Sequence, residues 1–447
     1  MAEHNPPAAK VKVSSRRSRR RKGRTGRSRS HVAGTAEGEA CRKDASPPVT
    51  GAAPRETTND NGKAGQQSAA DQSGPEASEP RPGATRGLGY RKSYAAIDLG
   101  TNNCRLLIAR PSGENFTVID AFSRVVRLGE GLAQSGRLSD DAMERTLAAL
   151  HVCAEKLRRR NVLLARSVAT EACRRAANGS EFIERVREET GIALDIISAR
   201  EEARLAVLGC HVLLEDGPGP AMIFDIGGGS TELVLIESTD TVPRILDWQS
   251  VPWGVVSLSE SCGSEGEGQA ERLERYRHMR RLVSDSFSAF SARIAPARQA
   301  AAGHGAPRLL GTSGTVTTLA SLHLELPQYD RRMVDGLIVP AESMREISTR
   351  LSAMSIEERR ELNCIGRERA DLVVAGCAIL EAILDLWPAA RLGVADRGIR
   401  EGILRSLIAS HRPGDGCAGG VPRGDVPARS ACVPRHGDVA QPVGRGR

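Results

Sequence analysis

One short pattern occurs twice in this chain and limits what it can fold into. Asp98-Leu99-Gly100-Thr101-Asn102-Asn103-Cys104-Arg105-Leu106-Leu107 can be laid over Asp225-Ile226-Gly227-Gly228-Gly229-Ser230-Thr231-Glu232-Leu233-Val234. Each copy reads apolar strand, Asp, apolar residue, Gly, small polar loop, apolar strand. That is a β-hairpin with a carboxylate at its mouth. Two copies, 127 residues apart, imply two similar domains that face each other across a cleft. Chance likeness of two glycine turns would not also align the acid and both flanking strands.

The intervening sequence alternates strands and helices. Tyr94–Ile97 and Leu106–Ala109 read as the strands of the first hairpin. Ser139 caps a helix with Asp140 and Asp141 in its first turn and Met143, Leu147, Leu150, Ala154 and Leu157 on its apolar face. Val162–Ala169 is strand-like, Ser180–Thr190 a helix ending at Gly191, and Leu194–Ile197 a strand before a helix starting at Ser198. After the second hairpin come a long helix near Gln269–Ala295, a strand at Leu309–Gly311 and a helical final third. This alternation predicts an α/β fold, with domains over 93–217 and 218–410.

Charge is unevenly placed. Residues 1–92 hold 19 Lys/Arg against 9 Asp/Glu, and 411–447 hold 6 Arg against 3 Asp, which leaves 93–410 at −5 within a chain of +8. The basic character belongs to the two ends, so whole-chain charge says little about the folded part. Both ends are rich in Ser, Gly, Pro, Arg and Ala and poor in large apolar residues, and 1–92 and 411–447 are expected to be disordered. Nine Lys/Arg within Arg16–Arg29 form a cluster suited to polyphosphate or nucleic acid alike. None of the ten Cys sits at CxxC spacing, which argues against metal knuckles and dithiol redox motifs and for buried thiols in a reducing compartment. No apolar run approaches the roughly 20 residues that span a bilayer, and the basic N-terminus lacks a secretory h-region. The expectation is a cytoplasmic protein without membrane contact; a homodimer is compatible with the sequence.

The chemistry centres on Asp225–Glu232. Gly227, Gly228 and Gly229 let backbone N–H groups approach an anion, and Ser230 and Thr231 add hydroxyl donors. Asp225 and Glu232 offer hard oxygen ligands for a divalent metal, Mg²⁺ first, bridging to phosphate. Ser313, Gly314 and Thr315 crowd a turn before a helix-like stretch, a second anion site on the same principle. No loop has the form GxxxxGK[ST], which excludes a P-loop protein. Arg174, just after a strand, is either a bidentate phosphate ligand or an ordinary solvated Arg. Ser198 and Glu201 have capping-box spacing, giving Glu201 a structural role; Glu202 is left over, as a surface acid or as a base for a water nucleophile.

Taken in order, Ala95–Arg110, Ala169–Arg174, Ile197–Ala203, Asp225–Leu235, Gly311–Leu319 and Arg369–Leu380 resemble the motifs of exopolyphosphatases and guanosine pentaphosphate phosphatases. That family is related to acetate and sugar kinases, heat-shock chaperones and actin. The resemblance spans roughly 93–410. It implies two ribonuclease-H-like (actin-like ATPase) domains around a central cleft. It makes Glu202 the catalytic base, assigns metal to Asp225 and Glu232, and assigns phosphate to Arg174; Asn102, Asn103, Gly227–Thr231 and Ser313–Thr315 are the further phosphate contacts expected. No His-Asp dipeptide occurs, so the HD-type module of longer relatives is not expected. The implied activity is release of orthophosphate from inorganic polyphosphate. Guanosine pentaphosphate is the alternative substrate, and a polyanion-binding protein with an inactive cleft or an ATP-dependent kinase are the alternatives in class.

Overall fold

The computed structural model describes residues 92–411, apart from 114, 240, 241 and 306. The Arg16–Arg29 cluster and nearly all of the two expected disordered ends lie outside the described residues.

Two mixed sheets carry the α/β fold. In the first, β1 (Ser93–Leu99), β2 (Asn103–Ser112), β3 (Asn115–Val125), β4 (Val162–Ala169) and β5 (Leu194–Ile196) take the order β3-β2-β1-β4-β5. The second holds β6 (Pro220–Ile226), β7 (Thr231–Glu237), β8 (Arg244–Val251), β9 (Arg308–Thr312), β10 (Ile338–Pro340) and β11 (Arg391–Ala395) in the order β10-β11-β9-β6-β7-β8. β1–β2–β3 and β6–β7–β8 are both antiparallel meanders; β4 and β9 then join β1 and β6 in parallel, and β5 and β11 extend each run. The repeat seen in two hairpins therefore extends over five strands of each sheet, with β10 added at an edge of the second.

The sequence reading missed β3 and β8, and also β10 and β11, which lie in the final third read as helical. β3 and β8 are outer strands in which apolar and polar residues interleave, so neither shows the continuous apolar run of an inner strand. The long helix expected near Gln269–Ala295 is two, Gln269–Ser286 and Ser288–Gly303, parted at Phe287, a buried side chain.

The Ala199–Cys210 helix lies between the sheets. Leu205 and Ala206 join Tyr94, Ala96, Leu107 and Val168 of the first, while Ala203, Val207 and Cys210 join Ala221, Ile223, Val234 and Ile236 of the second. The Ile399–Ala409 helix, last of the described residues, returns to the first sheet through Ile399, Ile403, Leu404 and Leu407. It crosses the Ala199–Cys210 helix so closely that a Cβ on Gly402 would overlap the Leu205 carbonyl, and one on Gly209 the Gly398 carbonyl. The position 217/218 falls between the turn His211–Leu213 and β6.

Candidate active site

Four loops at the cleft leave the carboxyl end of a strand, 100–103 after β1, 170–171 after β4, 227–230 after β6 and 313–315 after β9, and the segment of Ile365, Arg369 and Leu372 between two helices completes the lining. Ligands of parallel α/β sheets gather at such ends. These segments enclose a cleft of about 120 Å³, open to solvent.

The two hairpin turns are built alike. Gly100 N–H donates to the Asn103 carbonyl and Gly227 N–H to the Ser230 carbonyl, both at 2.9 Å. The turns also pack against each other. A Cβ on Gly228 would stand 2.9 Å from Thr101 Cβ and 3.1 Å from Asn102 N; one on Gly229 would stand 2.6 Å from Thr101 Oγ1 and 2.9 Å from Glu171 Cγ. The glycine run is therefore required by close approach of the first-sheet loop. Approach to an anion remains open to the same backbone, because the N–H groups of Thr101, Asn102, Gly228 and Gly229 donate to no acceptor among the described residues. Gly314 and Thr315 begin the Gly314–His323 helix and also line the cleft, and Ser313 caps it by accepting from Val316 N–H at 3.0 Å.

Of the residues expected from sequence, Glu202, Asp225, Asn102, Asn103, Gly227–Ser230 and Ser313–Thr315 line the cleft. Three do not. Thr231 is fully buried and donates to the Trp253 carbonyl at 2.6 Å. Glu232 is 1% exposed and turned behind its loop, where one carboxylate oxygen accepts from Ser230 Oγ at 2.8 Å and Ser250 Oγ at 2.9 Å. Arg174, in the short helix Glu171–Arg175, is engaged by Glu171, Glu202 and the Ile197 carbonyl. The expected capping box at Ser198 is half formed. Ser198 Oγ accepts from Glu201 N–H, but the Glu201 carboxylate goes to Arg166 and Arg204 instead of back to the cap, since two guanidiniums offer a charged partner within reach.

The structure adds Asp98, Arg105 and Arg369 to the lining. Asp98 and Arg105 are cross-strand partners, as are Asp225 and Glu232. Neither Arg105 nor Arg369 makes a side-chain hydrogen bond or ion pair among the described residues. Arg369 rests on Gly314, where a Cβ would come within 3.1 Å of its Nη1. Burial and then Arg105 hold the Arg369 guanidinium below its usual value, so a bound anion would relieve both groups.

Against these cations stand four carboxylates, Glu202 and Glu232 buried and Asp98 and Asp225 half-buried. Burial, then Glu202, pushes Asp225 up to about 7, with Arg105 opposing. Burial, then Asp225, pushes Glu232 up to about 7 against the two Ser hydroxyls. Glu202 is raised well above the ordinary range by burial and then Glu232, with Arg174 pulling it back. Asp98 is raised by burial and eased by Arg105 and Arg400. Asp98 and Asp225 accept no hydrogen bond among the described residues, a donor set that fits a hard divalent cation in kind. No group of three His, Cys, Asp or Glu there is close enough to hold a metal unaided. No helix among the described residues is long and apolar enough to cross a membrane.

Known proteins share this arrangement. The sequence pattern of the Ppx/GppA phosphatase family matches residues 107–411. Exopolyphosphatase 2 of Mycobacterium tuberculosis is 32% identical over 327 residues, covering 70% of this chain and 98% of the relative. The crystal structure of the Aquifex aeolicus member of the Ppx/GppA family superposes with a TM-score of 0.57 at 27% identity, over 72% of this chain and 99% of that one. An exopolyphosphatase-like protein of known structure reaches a TM-score of 0.62 at 28% identity, over 71% and 99%. The two-domain, actin-like fold and hydrolysis of phosphoric anhydride bonds come with this kinship, which sets aside the kinase and inactive-cleft readings; the chain belongs to the Ppx/GppA phosphatase family.

Proposed function

We propose that this chain releases terminal orthophosphate from inorganic polyphosphate. The observation that carries the reading is the placing of two guanidiniums without a side-chain partner among the described residues, Arg105 and Arg369, and one buried carboxylate, Glu202, around a single cleft. The name of the mycobacterial relative supports polyphosphate as the substrate. Water attacks the terminal phosphorus in line, Glu202 takes the proton from the water, and the bond to the next bridging oxygen breaks. Arg105 and the free N–H groups of Thr101, Asn102, Gly228 and Gly229 face the charge that builds on the phosphoryl oxygens. Arg369, Gly314 and Thr315 hold the inner phosphates. Asp98 and Asp225 would hold Mg²⁺, which binds through one or two carboxylates plus phosphate and water and would offset charge on the phosphate oxygens.

Guanosine pentaphosphate stays a second reading on one observation. Val255, Ile365, Leu372 and Val373 give the cleft an apolar wall, suited to a nucleoside and of no use to a bare phosphate chain. The test is orthophosphate release from long polyphosphate and from guanosine pentaphosphate, side by side, with Mg²⁺ and with EDTA. Faster release from polyphosphate is expected, lost in EDTA. A kcat/KM higher for the nucleotide would reverse the assignment, and release from neither would remove both.

A further inference from the structure

Arg174 is bound to protein on nearly every side. Its Nε and Nη2 donate to Glu171 Oε2 at 3.1 and 2.6 Å, and its Nη1 donates to the Ile197 carbonyl at 2.7 Å and to Glu202 Oε2 at 3.1 Å. A guanidinium has five N–H donors, so little is left for a substrate. Glu171 and Glu202 line the cleft, while Arg174 stands behind them. The Ile197 carbonyl directly precedes Ser198, the cap of the helix that carries Glu202. Arg174 therefore grips both the backbone entering that helix and the carboxylate on its first turn. The bond from Arg174 is the one side-chain hydrogen bond that Glu202 accepts among the described residues.

We propose that Arg174 is a positioning residue, anchored by Glu171 and the Ile197 carbonyl, that holds the Glu202 carboxylate facing the attacking water, and that it is not a ligand of the substrate phosphates. The inference rests on Glu202 being the base. Its electrostatic consequence has a definite sign. Glu232, Asp98 and Asp225 face Glu202 with negative charge, and Arg174 is the cation that opposes them. Removing Arg174 should make Glu202 harder to deprotonate. Removing the charge on Glu171, which partly neutralises Arg174, should do the reverse.

The experiment measures kcat, KM and the pH profile of kcat on inorganic polyphosphate at saturating Mg²⁺, with thermal melts, for Arg174→Met, Arg174→Lys, Glu171→Gln and Glu202→Gln. Arg174→Met is expected to lower kcat roughly 10- to 100-fold, the scale of a misplaced catalytic group, with KM changed less than about threefold. Its acid limb should move to higher pH and that of Glu171→Gln to lower pH, with Arg174→Lys between wild type and Arg174→Met. If Arg174→Met does not fold, Arg174→Lys and Glu171→Gln carry the test through their opposite pH shifts. A KM raised about tenfold or more with kcat kept would make Arg174 a phosphate ligand and overturn the proposal, as would acid limbs unmoved in both Arg174→Lys and Glu171→Gln. Wild-type turnover in Glu202→Gln would instead remove the base assignment, and the proposal with it. An inactive Glu202→Gln beside Arg174 variants altered only in KM would sink the positioning role alone.

Discussion

The two hairpins share a backbone and differ in one cross-strand partner. Asp98 faces Arg105 across its strand pair, and Asp225 faces Glu232 at the equivalent place. In the first sheet the partner is a cation at the cleft, unpaired among the described residues. In the second it is an acid locked behind the loop by Ser230 and Ser250. A duplicated scaffold thus supplies two carboxylates to one site while assigning different work to the residues beside them. The difference also sets electrostatic strain. Asp98 has Arg105 and Arg400 to ease its charge, whereas Asp225 stands among Glu202, Asp98 and Glu232 with only Arg105 in opposition.

The largest expected effect follows from that strain. With a folded-state value of about 7 against an ordinary value of 3.8, the Asp225 carboxylate resists ionising in the folded protein. The stability it allows is fully present below about pH 4 and is lost as pH rises through about 7. Asp225→Asn should therefore stabilise the protein in EDTA at pH 8, by on the order of 2–4 kcal/mol, since each tenfold change in an ionisation equilibrium is worth about 1.4 kcal/mol, and do little at pH 4. Asp98→Asn should stabilise less, because its hairpin already carries a cation. Melts of both variants at the two pH values check this, and equal gains would break the contrast between the hairpins. Both variants should lose activity and need more Mg²⁺ for half-activation.

How much of this was legible in the sequence depends on distance along the chain. The hairpins, their acids and the Ser139 cap are local patterns, and they carried the α/β architecture and the cleft. Arg105 was within reach too: it lies opposite Glu232 in the repeat itself, and a charge reversed between copies was the signal left unread. Arg369 opens one of the quoted motifs, but its role was not legible, since its seat on Gly314 depends on packing between distant segments. The role of Glu201 was misread because Arg166, on another strand, competes with the cap for its carboxylate. The glycines were placed in the right loop for an incomplete reason, as their partners Thr101 and Glu171 come from the other half of the chain.

The partner contrast can be tested on activity next. Arg105→Met removes a charged donor that has no side-chain partner among the described residues, and should lower kcat/KM on polyphosphate roughly 10- to 100-fold, the worth of about 1.5–3 kcal/mol for hydrogen bonds to a charged group. Most of that loss should appear in kcat, because Arg105 faces charge that builds in the transition state. Glu232→Gln keeps the Ser230 and Ser250 contacts within reach and should cost far less. A Glu232→Gln defect as deep as that of Arg105→Met would mean that Glu232 reaches the substrate or its metal after all.

The turns themselves offer a smaller effect. A Cβ on Gly228 meets Thr101 Cβ at 2.9 Å, whereas the nearest atom to a Cβ on Gly100 is the Asn103 carbonyl at 3.5 Å. Gly228→Ala should cost about 1–3 kcal/mol, the range for overpacking, and Gly100→Ala clearly less. Denaturant midpoints at constant slope give the comparison. Equal costs would show that the loops do not rely on the close approach seen between them.

The smallest effect concerns the helix that both hairpins face. Glu201 and Glu202 are neighbours on it, yet one points to the surface and the other to the cleft. Glu201 pairs with Arg166 at 3.0 Å and Arg204 at 2.7 Å, with about a quarter of its side chain still exposed. Such pairs contribute about 0–1 kcal/mol, because the charges are solvated when apart and ordering the side chains costs entropy. The cap itself is made by the Ser198 hydroxyl and does not need the Glu201 carboxylate. Glu201→Gln should thus lower stability by no more than about 1 kcal/mol, lose even that at high salt, and leave kcat near wild type. Ser198→Ala removes the bond to Glu201 N–H that does cap the helix, and should cost about 0.5–2 kcal/mol. A larger loss in Glu201→Gln than in Ser198→Ala would place the cap on the carboxylate. Loss of turnover in Glu201→Gln with a normal melt would move the base by one residue, to the side of the helix that faces Arg166.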